Sequence, residues 1–382
     1  MPRQDFLALT GARVFTGDRF LDGHAVLLDG ARVADVLPAA ALPSGIATED
    51  LGGGLLAPGF VDAQVNGGGG VLFNDTTTAD GAAGVAAAHR RFGTVACLPT
   101  FITDRPDRQA RAVAAVRDAI AERRPGVLGI HLEGPHLAAA RKGAHDPALI
   151  RPMSDADLDA LLSTGLDVVL VTVAAETVTP GQVRRLSRGG VVVSIGHSDA
   201  TADQVGAAVD AGARCVTHLF NAMSPLGHRA PGVVGAALDD GRLWGGLIAD
   251  GVHVDAAALR VALRAKRGPG RLFLVTDAMP PAGSPGDTFT LSGRTATRRG
   301  GALSFDDGTL AGADLTMDAA LRFAVRELEQ PLDEALRMAS LYPAEMLGQG
   351  GARGRIAAGF AADLVLLTGG LEVRRTWIAG RA

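Results

Sequence analysis

The strongest constraint on the fold is the alternation of short apolar, strand-like runs with amphipathic, helix-like segments through the middle of the 382-residue chain. Eight strand-like runs occur, with ends near 62–66, Pro99, Glu133, Val173, His197, His218, Asp250 and Asp277. Helical patterns connect several of them, at 82–92, 108–123, 155–162 and 202–211. Buried strands that alternate with helices form a parallel sheet, and eight such units close into a barrel. The pattern therefore predicts an α/β chain built on a TIM-like (β/α)8 barrel.

A doubly wound open sheet is the alternative fold for such a pattern. It would place a glycine fingerprint between the first strand and the first helix. The glycines at 67–70 lack G-x-G-x-x-G spacing with a following helix. The barrel is therefore the favoured fold.

Both ends of the chain are rich in strand-forming residues. The runs at 6–15, 24–29 and 32–37 near the start resemble those at 354–356, 362–367 and 373–378 near the end. Neither end can build a core alone, but together they can form one small β-sandwich domain. We expect residues 1–55 and 354–382 to form that domain, and residues 56–353 to form the barrel inserted between them.

Composition excludes several classes of protein. Hydrophobic residues make up 47% of the chain and charged residues 20%, which is enough apolar material for a core and rules out global disorder. The formal net charge of −4 argues against a nucleic-acid or anionic-membrane partner. The two cysteines, Cys97 and Cys215, form neither a disulfide framework nor a thiolate metal site. No signal peptide and no run of 18 apolar residues is evident, so we expect a cytoplasmic protein.

The histidines concentrate at the ends of the predicted strands. Of the nine in the chain, seven lie at or just after such an end: His131, His136, His145, His197, His218, His228 and His253. The carboxyl ends of barrel strands form one face, which carries active sites. For any single histidine a packing role is the better interpretation. Several histidines with acids at the same positions indicate a functional site.

Three strand ends supply the ligands of a catalytic metal site. Glu133 ends one strand, two residues after His131, and His197 and His218 end two others. Two imidazoles and one carboxylate, with a fourth position open for water, are typical of catalytic zinc. Asp277 ends the eighth strand, where a carboxylate can act as general base and later return the proton. Its other interpretation is a helix cap, which Pro280 and Pro281 disfavour.

The first strand carries amides where a two-metal barrel would carry imidazoles. Gln64 and Asn66 occupy these alternating positions. Amides are weak ligands for such metals. The sequence therefore predicts one bound metal.

Basic residues near the same face favour an anionic substrate. Arg141 and Lys142 precede His145 in one loop, and His228 and Arg229 lie in another. Arginine suits phosphate because its planar guanidinium donates two parallel hydrogen bonds. For Arg141 and Lys142 a solvated loop is equally good, whereas the setting of Arg229 between Gly227 and Pro231 favours function.

These residues stand in motifs that resemble the N-acetylglucosamine-6-phosphate deacetylases of the amidohydrolase superfamily. The resemblance covers practically the whole chain. Its more specific motifs are His131-Leu-Glu-Gly-Pro and Thr217-His-Leu-Phe-Asn-Ala-Met; others are Ala57-Pro-Gly-Phe-Val-Asp, Lys142-Gly-Ala-His, Gly196-His-Ser, Ala249-Asp-Gly-Val-His-Val, Val275-Thr-Asp-Ala, Leu315-Thr-Met, Tyr342-Pro-Ala and the stretch from Gly354 to Val365.

The resemblance implies a role for each matching residue. It implies a divalent metal, zinc first and otherwise Fe²⁺, Mn²⁺ or Co²⁺, held by Glu133, His197 and His218. Asp277 would be the acid and base, and His145 would polarise the amide carbonyl. The sugar phosphate would be held by residues of several loops: Ala144, Asn221, Ala222, Arg229, His253, Leu310, Ala311 and Gly312. The resemblance also implies a homodimer or homotetramer in which Arg229 reaches the neighbouring site.

Two segments depart from the family pattern, namely Leu310-Ala-Gly-Ala-Asp and Ser224-Pro-Leu-Gly-His.

The function that follows from the resemblance is hydrolysis of N-acetyl-D-glucosamine 6-phosphate to D-glucosamine 6-phosphate and acetate, in amino-sugar catabolism or cell-wall recycling. N-acetylgalactosamine 6-phosphate or another amide is the alternative substrate. A non-catalytic sugar-phosphate-binding barrel is the alternative class, and the intact set of Glu133, His197, His218 and Asp277 argues against it.

Overall fold

A computed structural model of the chain describes residues 6–382. The strands, numbered in chain order, are β1 (Phe6–Thr10), β2 (Arg13–Phe15), β3 (Phe20–Leu21), β4 (His24–Asp29), β5 (Arg32–Pro38), β6 (Ala47–Asp50), β7 (Leu55–Pro58), β8 (Phe60–Val65), β9 (Gly67–Gly68), β10 (Val71–Leu72), β11 (Thr94–Ile102), β12 (Ile130–Glu133), β13 (Val169–Val173), β14 (Val192–Ile195), β15 (Cys215–Val216), β16 (Trp244–Ile248), β17 (Leu272–Val275), β18 (Thr288–Leu291), β19 (Arg294–Arg299), β20 (Ala302–Ser304), β21 (Leu310–Ala313), β22 (Leu364–Leu367) and β23 (Val373–Trp377).

The α-helices are α1 (Ala79–Arg90), α2 (Pro106–Ala121), α3 (Asp155–Leu162), α4 (Pro180–Arg188), α5 (Ala202–Ala211), α6 (Gly232–Asp239), α7 (Ala256–Ala265), α8 (Met317–Arg326), α9 (Leu332–Ala339) and α10 (Leu341–Met346). Short 3₁₀ turns lie at Ala39–Ala41 and Ala139–Arg141. None of the helices within residues 6–382 is long and apolar enough to cross a membrane.

Eight parallel strands form the predicted TIM-like barrel. They are hydrogen-bonded in sequence order, from β8 through β11, β12, β13, β14, β15 and β16 to β17. A parallel bridge between Val65 and Ala278 joins the two ends of the sheet. The strands are apolar runs buried along nearly their whole length, as expected for strands covered by helices outside and side chains inside. The predicted barrel is confirmed.

Local sequence signals fix where the helices begin. Ser154, Thr179 and Thr201 each accept a hydrogen bond from the backbone N–H three residues later, and the side chain at that position bonds back, which forms a capping box at the start of α3, α4 and α5. The predicted helices 155–162 and 202–211 match α3 and α5, while α1 and α2 start three and two residues before their predicted starts at 82 and 108.

Both ends of the chain contribute to a small β domain. One sheet has the order β5-β4-β1-β6, and the other has the order β23-β22-β7-β2-β3, so the second sheet combines both termini. Their facing sides share a core that includes Leu9, Val26, Leu56, Leu366 and Trp377. Burial of a side chain of this size contributes about 2–3 kcal/mol. The predicted small domain is therefore present.

One detail of that domain differs from the sequence prediction, and another concerns residues that the structure does not describe. The segment 354–356 forms no strand, although the Ile356 N–H donates to the carbonyl of Thr16. Residues 1–5 of the predicted domain lie outside the described residues. The exact division at residues 55/56 and 353/354 stays a prediction.

A further four-stranded sheet, which the sequence pattern did not predict, is inserted after the last barrel strand. It has the order β18-β19-β20-β21 and is antiparallel. Its first two turns are Ser292-Gly293 and Gly300-Gly301, all four residues with positive φ, the backbone that two-residue hairpins require. These turn residues between alternating strands were the signal that could have revealed it. The inserted sheet lies over the face of the barrel that the carboxyl ends of its strands form.

Candidate metal centre and active site

The carboxyl ends of the barrel strands surround one cavity of about 380 Å³. Glu133, His197, His218 and Asp277, which the sequence places at four strand ends, all line it. The inserted sheet closes part of the opening with Leu291, Thr309, Leu310 and Gly312. The fold therefore brings the four predicted chemical residues together in one partly covered chamber.

Glu133, His197 and His218 converge on one point. The Oε1 atom of Glu133 lies 3.2 Å from His197 Nε2 and 3.1 Å from His218 Nε2, and the two Nε2 atoms are 3.1 Å apart. All three side chains are buried. Among the described residues these form the one group of three acidic, histidine or cysteine side chains close enough to share a metal ion.

The chemistry of this cluster fits a divalent metal. His197 Nδ1 lies 2.8 Å from the carbonyl oxygen of Arg141, which can only accept, so Nδ1 carries the proton and Nε2 presents a lone pair. Two imidazole nitrogens and a carboxylate oxygen that face one another in a buried site are a donor set that suits a catalytic zinc ion. Burial alone would raise the pKa of Glu133, but the neighbouring His197 and His218 hold it well below its usual range.

The backbone at the strand ends is held in an uncommon conformation. His197, His218 and Asp277 have φ values of 47°, 28° and 50°, in the left-handed region that side-chain-bearing residues rarely adopt. Such strain persists where the surrounding structure enforces it, and it occurs often at functional sites. Each strand here turns sharply just after its last pairing, which directs the side chain into the cavity.

Asp277 lies next to this cluster, beside the first barrel strand. Its Oδ1 accepts hydrogen bonds from Gln64 Nε2 at 3.0 Å and Asn66 Nδ2 at 2.7 Å. Burial, and then the negative charge of Glu133, raise the pKa of Asp277 to about 6. No helix begins until Met317, so Asp277 is not a helix cap. It is an acidic group that can exchange a proton near neutral pH.

His145 and His253 line the same cavity from two loops. His145 Nδ1 lies 2.8 Å from Thr103 Oγ1, and burial, followed by the charge of His197, lowers the pKa of His145 to about 3. His253 Nδ1 donates to Asp250 Oδ2 at 2.7 Å, so Nε2 is the ring nitrogen that does not take part in this bond. Asp250 is a partner of His253 that sequence reasoning did not identify, although its position three residues earlier was the available signal.

Three of the seven strand-end histidines do not reach the cavity. His131 lies within the barrel, where its ring nitrogens contact Thr100 and Thr172. His136 contacts the carbonyl of Arg151, and His228 is exposed. A spacing of two residues places His131 and Glu133 on one face of the strand, but His131 lies deeper in the barrel.

The predicted sugar-phosphate residues divide into two groups. Those that line the cavity are Ala144, Asn221, Ala222, His253, Leu310 and Gly312. Ala311 instead packs into the core beneath the inserted sheet, and Arg229 is exposed outside the cavity of its own chain. Arg141 lines the cavity but pairs with Asp199 at 2.8 Å.

Comparisons with known proteins agree with this architecture. A sequence profile described as "Amidohydrolase family" matches residues 55–382, and one described as "NagA composite domain" matches residues 7–56. The chain is 41% identical to an N-acetylgalactosamine-6-phosphate deacetylase of Shewanella sp. (strain ANA-3), over 99% of the chain and 96% of the relative. It is 37% identical to an N-acetylglucosamine-6-phosphate deacetylase of Haemophilus influenzae, over 98% of each.

Solved structures give the same result. The crystal structure of N-acetylglucosamine-6-phosphate deacetylase from Pasteurella multocida superposes with a TM-score of 0.94 at 36% identity, over 98% of this chain and 99% of that one. The resemblance inferred from the motifs is confirmed. The chain belongs to the amidohydrolase family.

Proposed function

We propose that this protein hydrolyses the acetamide of N-acetyl-D-glucosamine 6-phosphate to D-glucosamine 6-phosphate and acetate. The observation that carries the proposal is that Asp277 lines the same cavity as the Glu133, His197 and His218 cluster. Relatives with full-length similarity are named for deacetylation of hexosamine 6-phosphates. The cytoplasmic location stays a prediction.

Glu133, His197 and His218 would hold one divalent metal, for which zinc is our first choice and Fe²⁺, Mn²⁺ and Co²⁺ are the alternatives. When bound, such a metal polarises a carbonyl oxygen and lowers the pKa of water. A single ion is proposed because Gln64 and Asn66 donate their amide hydrogens to carboxylates.

Asp277 would move the proton. In its ionised form it takes a proton from the attacking water, and in its protonated form it delivers that proton to the departing nitrogen. General acid–base catalysis is most effective when the pKa of the group lies near the working pH. The pKa of Asp277, raised to about 6 by burial and by Glu133, suits both directions of transfer.

His145 would assist at the acyl oxygen. Its lowered pKa keeps the imidazole neutral, because burial disfavours its charged form. For Nε2 to carry the proton and donate to the oxygen of the acetyl group, the Thr103 hydroxyl would donate to His145 Nδ1 at 2.8 Å in place of the more distant carbonyl of Glu133 at 3.3 Å. A fixed donor at this position stabilises the charge that develops during attack.

The sugar phosphate would lie between the loops that line the remainder of the cavity. Asn221, the backbone at Ala222 and His253 would contact it, with Ala144, Leu310 and Gly312 along its sides. Ala311 would contribute through its backbone alone, since its methyl group is buried elsewhere. The segments 224–228 and 310–314 depart from the family pattern and would adjust hexosamine preference.

N-acetylgalactosamine 6-phosphate is the second candidate substrate. The relative from Shewanella, at 41% identity, is named for that activity, whereas the one from Haemophilus, at 37%, is named for the glucosamine epimer. The two sugars differ only in configuration at C4. The choice between them therefore depends on contacts at one hydroxyl group.

Acetate release from both sugar phosphates, beside unphosphorylated N-acetylglucosamine, tests the substrate. We expect the zinc-loaded protein to turn over N-acetylglucosamine 6-phosphate faster than its epimer and the neutral sugar much more slowly, because the loops of the cavity would bind the phosphate. Equal rates with and without phosphate would discard the phosphate site. No acetate from any of the three, with metal bound, would overturn the proposed reaction.

Asp277→Asn tests the division of roles between proton transfer and metal binding. The amide keeps the shape of the carboxylate but cannot take a proton, so kcat should fall by about 10²–10⁴. Metal content, measured by mass spectrometry of the purified protein, should stay at one ion per chain. Glu133→Gln is the contrasting variant, which should lose the metal. Loss of metal from Asp277→Asn would show that Asp277 is a ligand.

We also propose that the protein is a homodimer, or a homotetramer built of such dimers, in which Arg229 enters the neighbouring active site. Two observations support this arrangement: Arg229 is exposed outside its own cavity, and the nearby Leu226 exposes 57% of its surface. An exposed apolar side chain beside a free guanidinium is suited to an interface between subunits.

Hybrid oligomers test the shared site. Arg229→Ala and Asp277→Asn should each be nearly inactive alone. Co-expressed subunits should regain activity, because a hybrid dimer contains one site with an intact Asp277 and an Arg229 supplied by the other subunit. A co-expressed mixture that stays as inactive as its parents, while size-exclusion chromatography shows a dimer, would refute the exchange.

A further inference from the structure

Two amide side chains at the end of β8 donate hydrogen bonds to one oxygen of Asp277. Asn66 Nδ2 donates to Asp277 Oδ1 at 2.7 Å, and Gln64 Nε2 donates to the same atom at 3.0 Å. Gln64 Nε2 also lies 3.2 Å from Glu133 Oε1. Both amides are 2% exposed, so these bonds are largely shielded from bulk water. The other oxygen of Asp277, Oδ2, accepts no hydrogen bond from the described residues.

The hydrogen bond to Asp277 sets the orientation of the Asn66 side chain. Its nitrogen must face Asp277, because a carboxylate accepts hydrogen bonds and an amide oxygen cannot donate one. In this orientation its Oδ1 is buried with no partner among the described residues. A buried acceptor left without a partner destabilises a fold. The bond to Asp277 therefore determines how this side chain lies.

Backbone hydrogen bonds fix the position of the main chain at Asp277. The Asp277 N–H donates to the carbonyl of Gln64 at 2.9 Å, and the Asn66 N–H donates to the carbonyl of Ala278 at 2.9 Å. One residue earlier, the Thr276 hydroxyl donates to the buried carboxylate of Asp62. These contacts fix the backbone but not the side-chain torsions of Asp277, of which the rotation of the carboxylate about its Cβ–Cγ bond has a broad preference.

We propose that Gln64 and Asn66 are positioning residues for Asp277, which hold its carboxylate by Oδ1 and thereby assign Oδ2 as the oxygen that takes and returns the proton. This inference rests on the proposed function and deepens it. The two amides thus have a positioning function at the positions where a two-metal barrel would carry metal ligands. Their N–H donors, and not their oxygens, are the groups required.

Asn66→Leu is the most direct test, because Asn66 contacts Asp277 and not Glu133. Leucine has nearly the same shape but no donor. Gln64→Met/Asn66→Leu removes both donors. Misplacement of a catalytic group by about 1 Å can cost about 100-fold in rate, so we expect kcat to fall roughly tenfold in the single variant and about 100-fold in the double variant. KM and the metal content should stay unchanged.

Gln182→Met is the matched control. Gln182 caps α4 and donates to the carbonyl of Met153, well away from the cavity. The same change of residue type there should alter neither kcat nor KM. A fall in kcat of the same size in this control would mean that loss of an amide bond acts through general destabilisation, and the inference would fall.

Crystal structures of the wild type and the double variant give a readout that does not depend on activity. We expect both amides on one oxygen of Asp277 in the wild type, and a rotated or disordered carboxylate in the variant. An active wild type whose double variant keeps its kcat, or an unrotated carboxylate in the variant, would overturn this inference alone. A wild type that releases no acetate would overturn the proposed function, while the carboxylate rotation would still decide the positioning.

Discussion

Two buried carboxylates that face one cavity determine how the rest of the site is built. Glu133 and Asp277 share the amide of Gln64 as a donor, and neither can stay ionised in a buried position without compensation. On the side of Glu133 the compensation would come from the divalent metal that Glu133 shares with His197 and His218, whose nitrogens surround its Oε1. Asp277 is compensated less: burial and the negative charge of Glu133 raise its pKa, and the charges of His218 and His253, with the amide of Asn66, offset this only in part. This asymmetry separates a metal ligand from a proton carrier.

The barrel supplies the rigidity that this arrangement needs. Each chemical side chain follows a strand whose neighbours hold it by parallel pairing, and β8 and β17 are joined through the Val65–Ala278 bridge. The left-handed backbone at His197, His218 and Asp277 is an energetic cost that the surrounding sheet sustains. The inserted sheet of β18–β21 covers part of the cavity, and the less water a site admits, the stronger the electrostatic interactions inside it. Fold and chemistry are thus linked at the strand ends.

The sequence predicted the barrel and the convergence of Glu133, His197, His218 and Asp277, because strand ends in a parallel barrel must share one face. It could not give depth, so His131 was grouped with the face although it lies inside the barrel. It identified Gln64 and Asn66 as poor ligands but not as donors, since their contact with Asp277 depends on closure between the first and eighth strands. The inserted sheet has recognisable hairpin turns at Ser292-Gly293 and Gly300-Gly301, but the strand–helix periodicity of the barrel does not predict it, since its strands are antiparallel and follow the eighth barrel strand.

The central claim is that Glu133, His197 and His218 hold one divalent metal and that Asp277 does not. Anomalous diffraction from crystals of the protein, collected above and below the absorption edges of zinc, iron, manganese and cobalt, tests it most directly. We predict one anomalous peak per chain, within about 2.0–2.2 Å of Glu133 Oε1 and of both Nε2 atoms. A second peak near Gln64 and Asn66, or a single ion bound to Asp277 in place of Glu133, would contradict the account.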